Sequence, residues 1–281
     1  RTTGTERYAR EVVVRLAAMG GARWRLYARP GAAGLPAGAE ARRLGPARVW
    51  THLGLGREVA LRPPDLLYVP AHVLPLPCRP RAVATVHDVG FRLHPEAHPP
   101  GRRLYLEWST RRHVRIAARL VVDSRSTARD LERLYGADPA RIAVAPLGVD
   151  APAVPPDAAD VAALRARLGL PPGARYVLHV GTLQPRKNLA RLVGAMARLA
   201  PDRPELHLVL AGGPGWGGTR ADLAARALRA GIGGRVHLAG YVAEADLPAL
   251  YGGAAVVAVP SLHEGFGLPA LEAMAHGVPV A

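Results

Sequence analysis

The only glutamine, the only lysine and the only asparagine of this 281-residue sequence sit together, in Gly181-Thr-Leu-Gln-Pro-Arg-Lys-Asn188. Every other cation among the 37 lysines and arginines is an arginine, so Lys187 supplies a compact ammonium where the chain otherwise uses a planar fork. Arg186 and Lys187 stand just before a stretch of helical periodicity. The free N–H groups and dipole of a helix start add positive potential there, which makes the loop a candidate phosphate site. The competing reading leaves both cations solvated, and Asn188 reads as the helix N-cap. A second group lies in Pro260-Ser-Leu-His-Glu-Gly-Phe-Gly-Leu-Pro-Ala-Leu-Glu272. Gly265 and Gly267 allow close backbone approach, and Pro269 suits a first helical turn. Glu264 and Glu272 could accept hydrogens from one polyhydroxyl ligand. On spacing alone, a turn role for Glu264 and a solvated helix face for Glu272 serve equally well.

Such loops act only if strands and helices aim them. Short β-branched runs alternate with amphipathic stretches, the pattern of parallel sheets with crossover helices. The first half gives strands at 24–28, 66–69, 82–86, 120–122 and 142–145. Helices follow at 102–117 and 126–135, the latter with Ser126 as N-cap. The Pro- and Ala-rich stretch 150–157 reads as a linker, dividing the chain into domains 1–150 and 151–281. Beyond it come helix 158–168, strand 176–180, helix 189–199, strand 206–211, helix 221–230, strand 236–238, helix 245–251, strand 255–259 and helix 268–275. Both candidate groups follow strands, where doubly wound sheets bind ligands.

Composition narrows the function. No apolar run approaches the ~20 residues that a spanning helix needs. The single cysteine, Cys78, excludes a disulfide framework and favours a reducing compartment. A net charge of +15 invites a nucleic-acid reading. Yet the arginines are scattered, without runs or interleaved aromatics, which argues against nucleic acid and leaves peripheral contact with anionic lipid open.

Taken together, the two groups resemble the family 4 glycosyltransferases of GT-B fold, whose Glu-x7-Glu signature matches Glu264 to Glu272. The resemblance is to bacterial mannosyltransferase-like members. It extends through Thr3-Gly4-Thr-Glu-Arg-Tyr-Ala-Arg, Thr85-Val-His87-Asp88 and Pro146-Leu-Gly-Val-Asp150. It implies two facing doubly wound Rossmann-like domains, an amino-terminal acceptor-side one and a carboxy-terminal donor-nucleotide one. Both read as incomplete here, since the usual first strand would precede Arg1 and the last strand and helices would follow Ala281.

By the same resemblance, Gly181 opens the donor loop and Arg186 and Lys187 hold the donor diphosphate. Glu272 takes the ribose hydroxyls, and Glu264 contacts the transferred sugar at its reacting face. The backbone of Gly265, Phe266, Gly267 and Leu268 offers N–H groups, Tyr241 and Val242 border the nucleobase, His87 lies near the sugar, and the Gly4 loop closes over the donor. Glu264, His87, Lys187 and Arg186 are the candidate catalytic groups. Relatives often carry arginine where Thr182 stands, so Arg186 and Lys187 would carry the phosphate charge alone. The implied activity is metal-independent, retaining hexosyl transfer from a GDP- or UDP-sugar to a glycan or lipid-linked acceptor. No cofactor is implied beyond that donor, and no Asp-x-Asp occurs. The implied place is the cytoplasm, at the inner face of the cell membrane, in cell-surface polysaccharide synthesis.

Other readings compete. Gly213-Pro-Gly-Trp-Gly-Gly218 satisfies G-x-G-x-x-G, but no acidic residue closes the following strand as a dinucleotide fingerprint requires. His87-Asp88 lacks the partners of a metal pair, His263 reads as a loop residue, and Lys187 lacks the neighbours of a phosphate-binding Walker loop. An epimerase or phosphorylase of the same fold, or a non-catalytic sugar-nucleotide binder, remains as the alternative. Segment 91–100 is where acceptor choice would reside.

Overall fold

The β-branched runs become parallel strands, and the intervening amphipathic stretches become crossover helices, in a computed structural model. It describes all residues except 1–3, 33–34, 36–38, 46–48, 79–80, 151–153 and 218–219. Contacts group the chain into two units, residues 1–89 with 104–146, and 90–103 with 147–281. Segment 90–103, which the sequence reading assigns to the first domain, therefore groups with the second.

The first unit opens with α1 (Gly4–Ala18), β1 (Arg25–Ala28) and β2 (Glu40–Arg43), where β1 and β2 form a two-stranded parallel sheet. A π-helical turn, Trp50–Leu55, runs into α2 (Gly56–Leu61), followed by β3 (Leu66–Val69) and β4 (Arg81–Val86). The chain then passes through α3 (Gly90–Leu93) and α4 (Pro100–Ile116), and adds β5 (Arg119–Val122), α5 (Arg125–Tyr135) and β6 (Ile142–Val144). The second sheet of this unit has the order β3-β4-β5-β6, all parallel. Ser124, not Ser126, caps α5: its hydroxyl accepts from the Thr127 N–H, because the helix begins at Arg125. Gly136, at φ 63°, ends it in the left-handed conformation.

The second unit comprises α6 (Ala158–Arg167), β7 (Arg175–Val180), α7 (Leu189–Leu199), β8 (Leu206–Ala211), α8 (Arg220–Arg229), β9 (Val236–Gly240), α9 (Leu247–Gly252), β10 (Val256–Val257) and α10 (Leu268–Ala275). Its sheet runs β10-β7-β8-β9, all parallel. The register pairs Val177 with Leu208 and Leu178 with Val209. Tyr176, Leu178, Val209 and Ala211 enter one apolar cluster, while Val177, Leu208 and Leu210 enter another. A sheet apolar on both faces reads in sequence as unbroken hydrophobic runs. Because all four strands are parallel, their carboxyl ends lie along one edge. From that edge leave the loops after β7, β8, β9 and β10, which contain both candidate groups. Among the described residues no helix is long and apolar enough to cross a membrane.

Candidate functional site

The loop after β7 is held by the loop after β8. Gly181 N–H donates to Ala211 O (2.9 Å), Leu183 N–H to Gly213 O (3.0 Å), and Gly215 N–H to Leu183 O (3.0 Å). This nesting needs glycine. A Cβ on Gly212 would sit 1.9 Å from Gly181 O, and one on Gly215 2.5 Å from Leu183 O. Gly212 and Gly215 thus serve the packing of one loop against the other. At Gly181 itself a Cβ would meet His179 Nε2 at 3.3 Å and Lys187 Cε at 3.4 Å, so glycine leaves room for the lysine stem.

The cations do not point into solvent. Lys187 is buried, and its Nζ lies 2.5 Å from Glu264 Oε1. Arg186 reaches Glu264 Oε2 at 3.3 Å and also donates to the His263 carbonyl. Ser261 Oγ donates to Glu264 Oε1 at 2.5 Å. The backbones are tied as well, since Leu262 N–H donates to Arg186 O at 2.9 Å. Asn188 occupies the N-cap position of α7, but its side chain caps nothing. At φ 55° the backbone is left-handed, and the amide Nδ2 donates instead to Pro260 O at 3.1 Å. The asparagine read as a cap is therefore a staple between the two loops. Burial pushes the Glu264 carboxyl up, but the Lys187 charge and hydrogen bond, then Ser261 and Arg186, outweigh it and hold it below the usual carboxylate range. One carboxylate thus neutralises one of two adjacent cations, leaving a local positive charge.

His179, on β7, is a site residue the sequence reading missed. Its Nδ1 donates to Ala258 O at 3.0 Å, and its Nε2 is buried with no hydrogen-bond partner among the described residues. Burial lowers its pKa to about 4. A neutral ring protonated at Nδ1 therefore presents a bare Nε2 lone pair beneath the Gly181 turn. The signal available in sequence was a polar residue inside an otherwise apolar strand.

Gly265, Phe266, Gly267 and Leu268 form the turn into α10. Gly267 is its N-cap at φ 93°, with no side chain to occupy the helix start. Glu272, one turn further, does not face solvent freely: the hydroxyl of buried Tyr251 donates to its Oε2 at 2.6 Å. The His276 ring stacks on Tyr251 at 5.0 Å. At the end of β9, Gly240 at φ 71° turns the chain so that Tyr241 is exposed while Val242 packs on the apolar cluster around Leu178. Segment 90–103 adds to this unit: Trp216 Nε1 donates to Ala97 O at 2.7 Å, and the Arg102 guanidinium lies 4.7 Å from the Trp216 ring centre. The His94 and His263 rings are 6.4 Å apart, which brings the expected acceptor segment beside the neighbour of Glu264.

His87 and Gly4 belong to the first unit. His87 Nδ1 lies 2.7 Å from Oδ2 of buried Asp123. Tyr8 meets the His87 ring edge-on at 4.7 Å, and Thr127 Oγ1 donates to the His87 carbonyl. Asp123, which the sequence reading passed over, thus holds the His87 ring through Nδ1. Gly4 is an exposed residue at the start of α1 and so lies in a helix, not in the loop expected there. Thr3 of that motif lies outside the described residues. Among the described residues no cluster of three His, Cys, Asp or Glu could hold a metal.

Known proteins are similar to this chain in sequence and fold. Residues 2–152 match the family model described as Glycosyltransferase Family 4, and residues 160–281 the one described as Glycosyl transferases group 1. The D-inositol 3-phosphate glycosyltransferase of Kineococcus radiotolerans is 44% identical over 173 residues, covering 59% of this chain and 40% of that protein. The O-antigen chain mannosyltransferase B of Escherichia coli is 35% identical over 202 residues, covering 71% of this chain and 52% of that protein. The chain thus spans about half the length of the curated relatives it matches. Among solved structures, Anabaena Alr3699/HepE in complex with UDP-glucose superposes with TM-score 0.76 at 21% identity, covering 100% of this chain and 77% of that one. WaaG, a glycosyltransferase involved in lipopolysaccharide biosynthesis, gives 0.74 at 20% identity with the same coverage. Those superpositions establish the GT-B fold, and with more than half its length matched by the family model, this chain belongs to Glycosyltransferase Family 4.

Proposed function

We propose that the second unit binds a nucleoside-diphosphate sugar and that the chain transfers its hexose, of mannose or glucose type, to a glycan or lipid-linked acceptor with retention of configuration. The observation that carries this reading is the convergence of Arg186 and Lys187 on Glu264 at the carboxyl edge of the sheet. Relatives named for inositol-phosphate glycosyl and mannosyl transfer support it, as does a structural neighbour holding UDP-glucose.

In the proposed reaction the bond from the anomeric carbon to the diphosphate oxygen breaks, and the acceptor oxygen bonds that carbon on the same face. The acceptor proton passes to the departing diphosphate. The protein's task is then to stabilise charge that develops on the leaving group and to position both partners. Lys187 and Arg186 do the first, each worth about 3 kcal/mol by analogy with other preorganised donors, and no metal ion is needed. As the diphosphate engages the cations, Glu264 is released toward the sugar, where it steadies positive charge at the anomeric carbon. Glu272, braced by Tyr251, binds the ribose hydroxyls.

The test is transfer of labelled hexose from GDP-mannose, GDP-glucose, UDP-glucose and UDP-galactose onto phosphatidylinositol and lipid-linked saccharide acceptors, with EDTA present. Labelled product of retained configuration is expected. Donor binding with neither transfer nor donor hydrolysis would overturn the catalytic reading and leave a sugar-nucleotide binder.

A further inference from the structure

His179 lies on β7, between β10 and β8, and is only 1% exposed. Its Nδ1 is 3.0 Å from the Ala258 carbonyl oxygen, which can only accept, so Nδ1 carries the proton and Nε2 is a lone pair. Burial above all, helped by the nearby Lys187 charge, lowers its pKa to about 4 and keeps the ring neutral. The lone pair has no hydrogen-bond partner among the described residues. An unmet buried acceptor is costly, and native structures keep few of them.

The stem of the single lysine borders that lone pair. A Cβ on Gly181 would meet His179 Nε2 at 3.3 Å, Lys187 Cε at 3.4 Å and Lys187 Nζ at 3.7 Å. Both nitrogens therefore flank one point, and glycine leaves that point clear. The ammonium has three N–H donors, one of which reaches Glu264 Oε1 at 2.5 Å. In the function proposed above, on which this inference rests, an incoming diphosphate takes the ammonium from Glu264. The lysine stem is flexible, so the direction of its head group must then be fixed by another contact. We propose that His179 is a positioning residue for Lys187: once Glu264 lets go, Nε2 accepts a hydrogen bond from Nζ and holds the remaining donors toward the diphosphate. A compact ammonium can serve a nitrogen beneath the Gly181 turn and an oxyanion elsewhere, whereas a guanidinium sends its donors into one plane. The same contact gives a reason for a lysine in a chain that otherwise uses arginine.

The test is calorimetry of the whole chain with GDP, UDP and inorganic pyrophosphate, on two amide variants. In His179→Asn the short amide keeps a donor near the Nδ1 position, toward Ala258 O, and supplies nothing at Nε2. In His179→Gln the longer amide places an acceptor near the Nε2 position and gives up the Ala258 contact. For a probe that binds, His179→Asn should weaken binding about tenfold, the worth of one hydrogen bond to a charged donor. His179→Gln should stay within about threefold of the unsubstituted chain. A purely structural role gives the opposite order, with Asn harmless and Gln damaging, and overturns the proposal. In a Lys187→Ala background, His179→Asn should weaken binding no further. A loss that persists there would mean that Nε2 meets the ligand itself, and overturns it likewise. Nitrogen NMR of isotope-labelled histidine needs no substitution. The Nε2 resonance should move from that of a bare lone pair toward that of a hydrogen-bonded nitrogen when the probe is added, and no movement in a chain that binds contradicts the proposal. Each of these failures leaves the donor site standing, because the unsubstituted chain still binds. Binding of none of the three probes would instead remove the donor site, and this inference with it.

Discussion

Lys187 and Glu264 stand 77 positions apart in the sequence and share a hydrogen bond of 2.5 Å. A buried ammonium left alone is costly, so the carboxylate is a needed counter-ion until another anion arrives. In the proposed reading Glu264 therefore competes with the donor diphosphate for Lys187 and Arg186. Glu264→Gln should tighten nucleoside-diphosphate binding, by a factor on the order of ten, while turnover falls about a hundredfold. Calorimetry and initial rates measure the two separately, and weaker binding in this variant would show that Glu264 orders the cations instead of opposing the ligand. Part of this was legible in the sequence, because one lysine among many arginines singles itself out. The role of Asn188 was not, since a left-handed backbone angle decides it. His179 and Asp123 escaped because a histidine within a strand and an aspartate at a strand end carry no spacing signal.

At the scale of elements, the site depends on one loop lying against another. The glycines after β8 set how closely the Gly181 loop can approach, and with it where the Lys187 stem runs. Gly212→Ala would drive a methyl group into the Gly181 carbonyl, 1.9 Å away. We expect a loss of about 3 kcal/mol in urea unfolding, the upper part of the overpacking range, together with weakened diphosphate binding. Gly194→Ala, in α7 with nothing within 4 Å of the added carbon, should stabilise by about 0.5–1 kcal/mol. Opposite signs from the same substitution test the packing argument directly. Strands β7 and β8 were readable because each is a mostly apolar run buried on both faces. By contrast β2, Glu-Ala-Arg-Arg, carries no apolar run. Its side chains pair through Glu40 with Arg25 at 3.0 Å and with Arg42 at 2.8 Å, partnerships that no sequence period announces. Helix α1 was missed for a related reason, as none of its residues is buried.

At the scale of the whole molecule, buried histidines make stability depend on pH. Burial lowers His72 and His179 to about 4 and His113 to about 3. An unfolded chain takes up a proton on each near 6.5, whereas the folded chain refuses it until the lowered value is reached. Stability contributed by the neutral rings is thus complete above about 6.5 and falls as pH drops toward 4. For His179 alone the loss is about 3 kcal/mol. The Glu264 carboxylate, held below its usual range, adds stability above the ordinary carboxylate pKa, and that too is lost on acidification. Melting temperature should therefore decline steeply between pH 6.5 and 4 (bounds set by ~6.5 for free histidine and the lowered values). A flat profile there would contradict the burial of neutral histidine.

The central claim is that Arg186 and Lys187 form a diphosphate site that works without metal. Calorimetric titration with GDP, UDP, ADP and dTDP, with and without magnesium, tests it most directly. The account predicts saturable binding of one of them, unchanged by magnesium. Lys187→Ala should weaken it about a hundredfold, the worth of a buried charge-assisted contact, while Arg111→Ala with Arg112→Ala leaves it intact. Equal losses in both variants, or no binding by a folded sample, would contradict it.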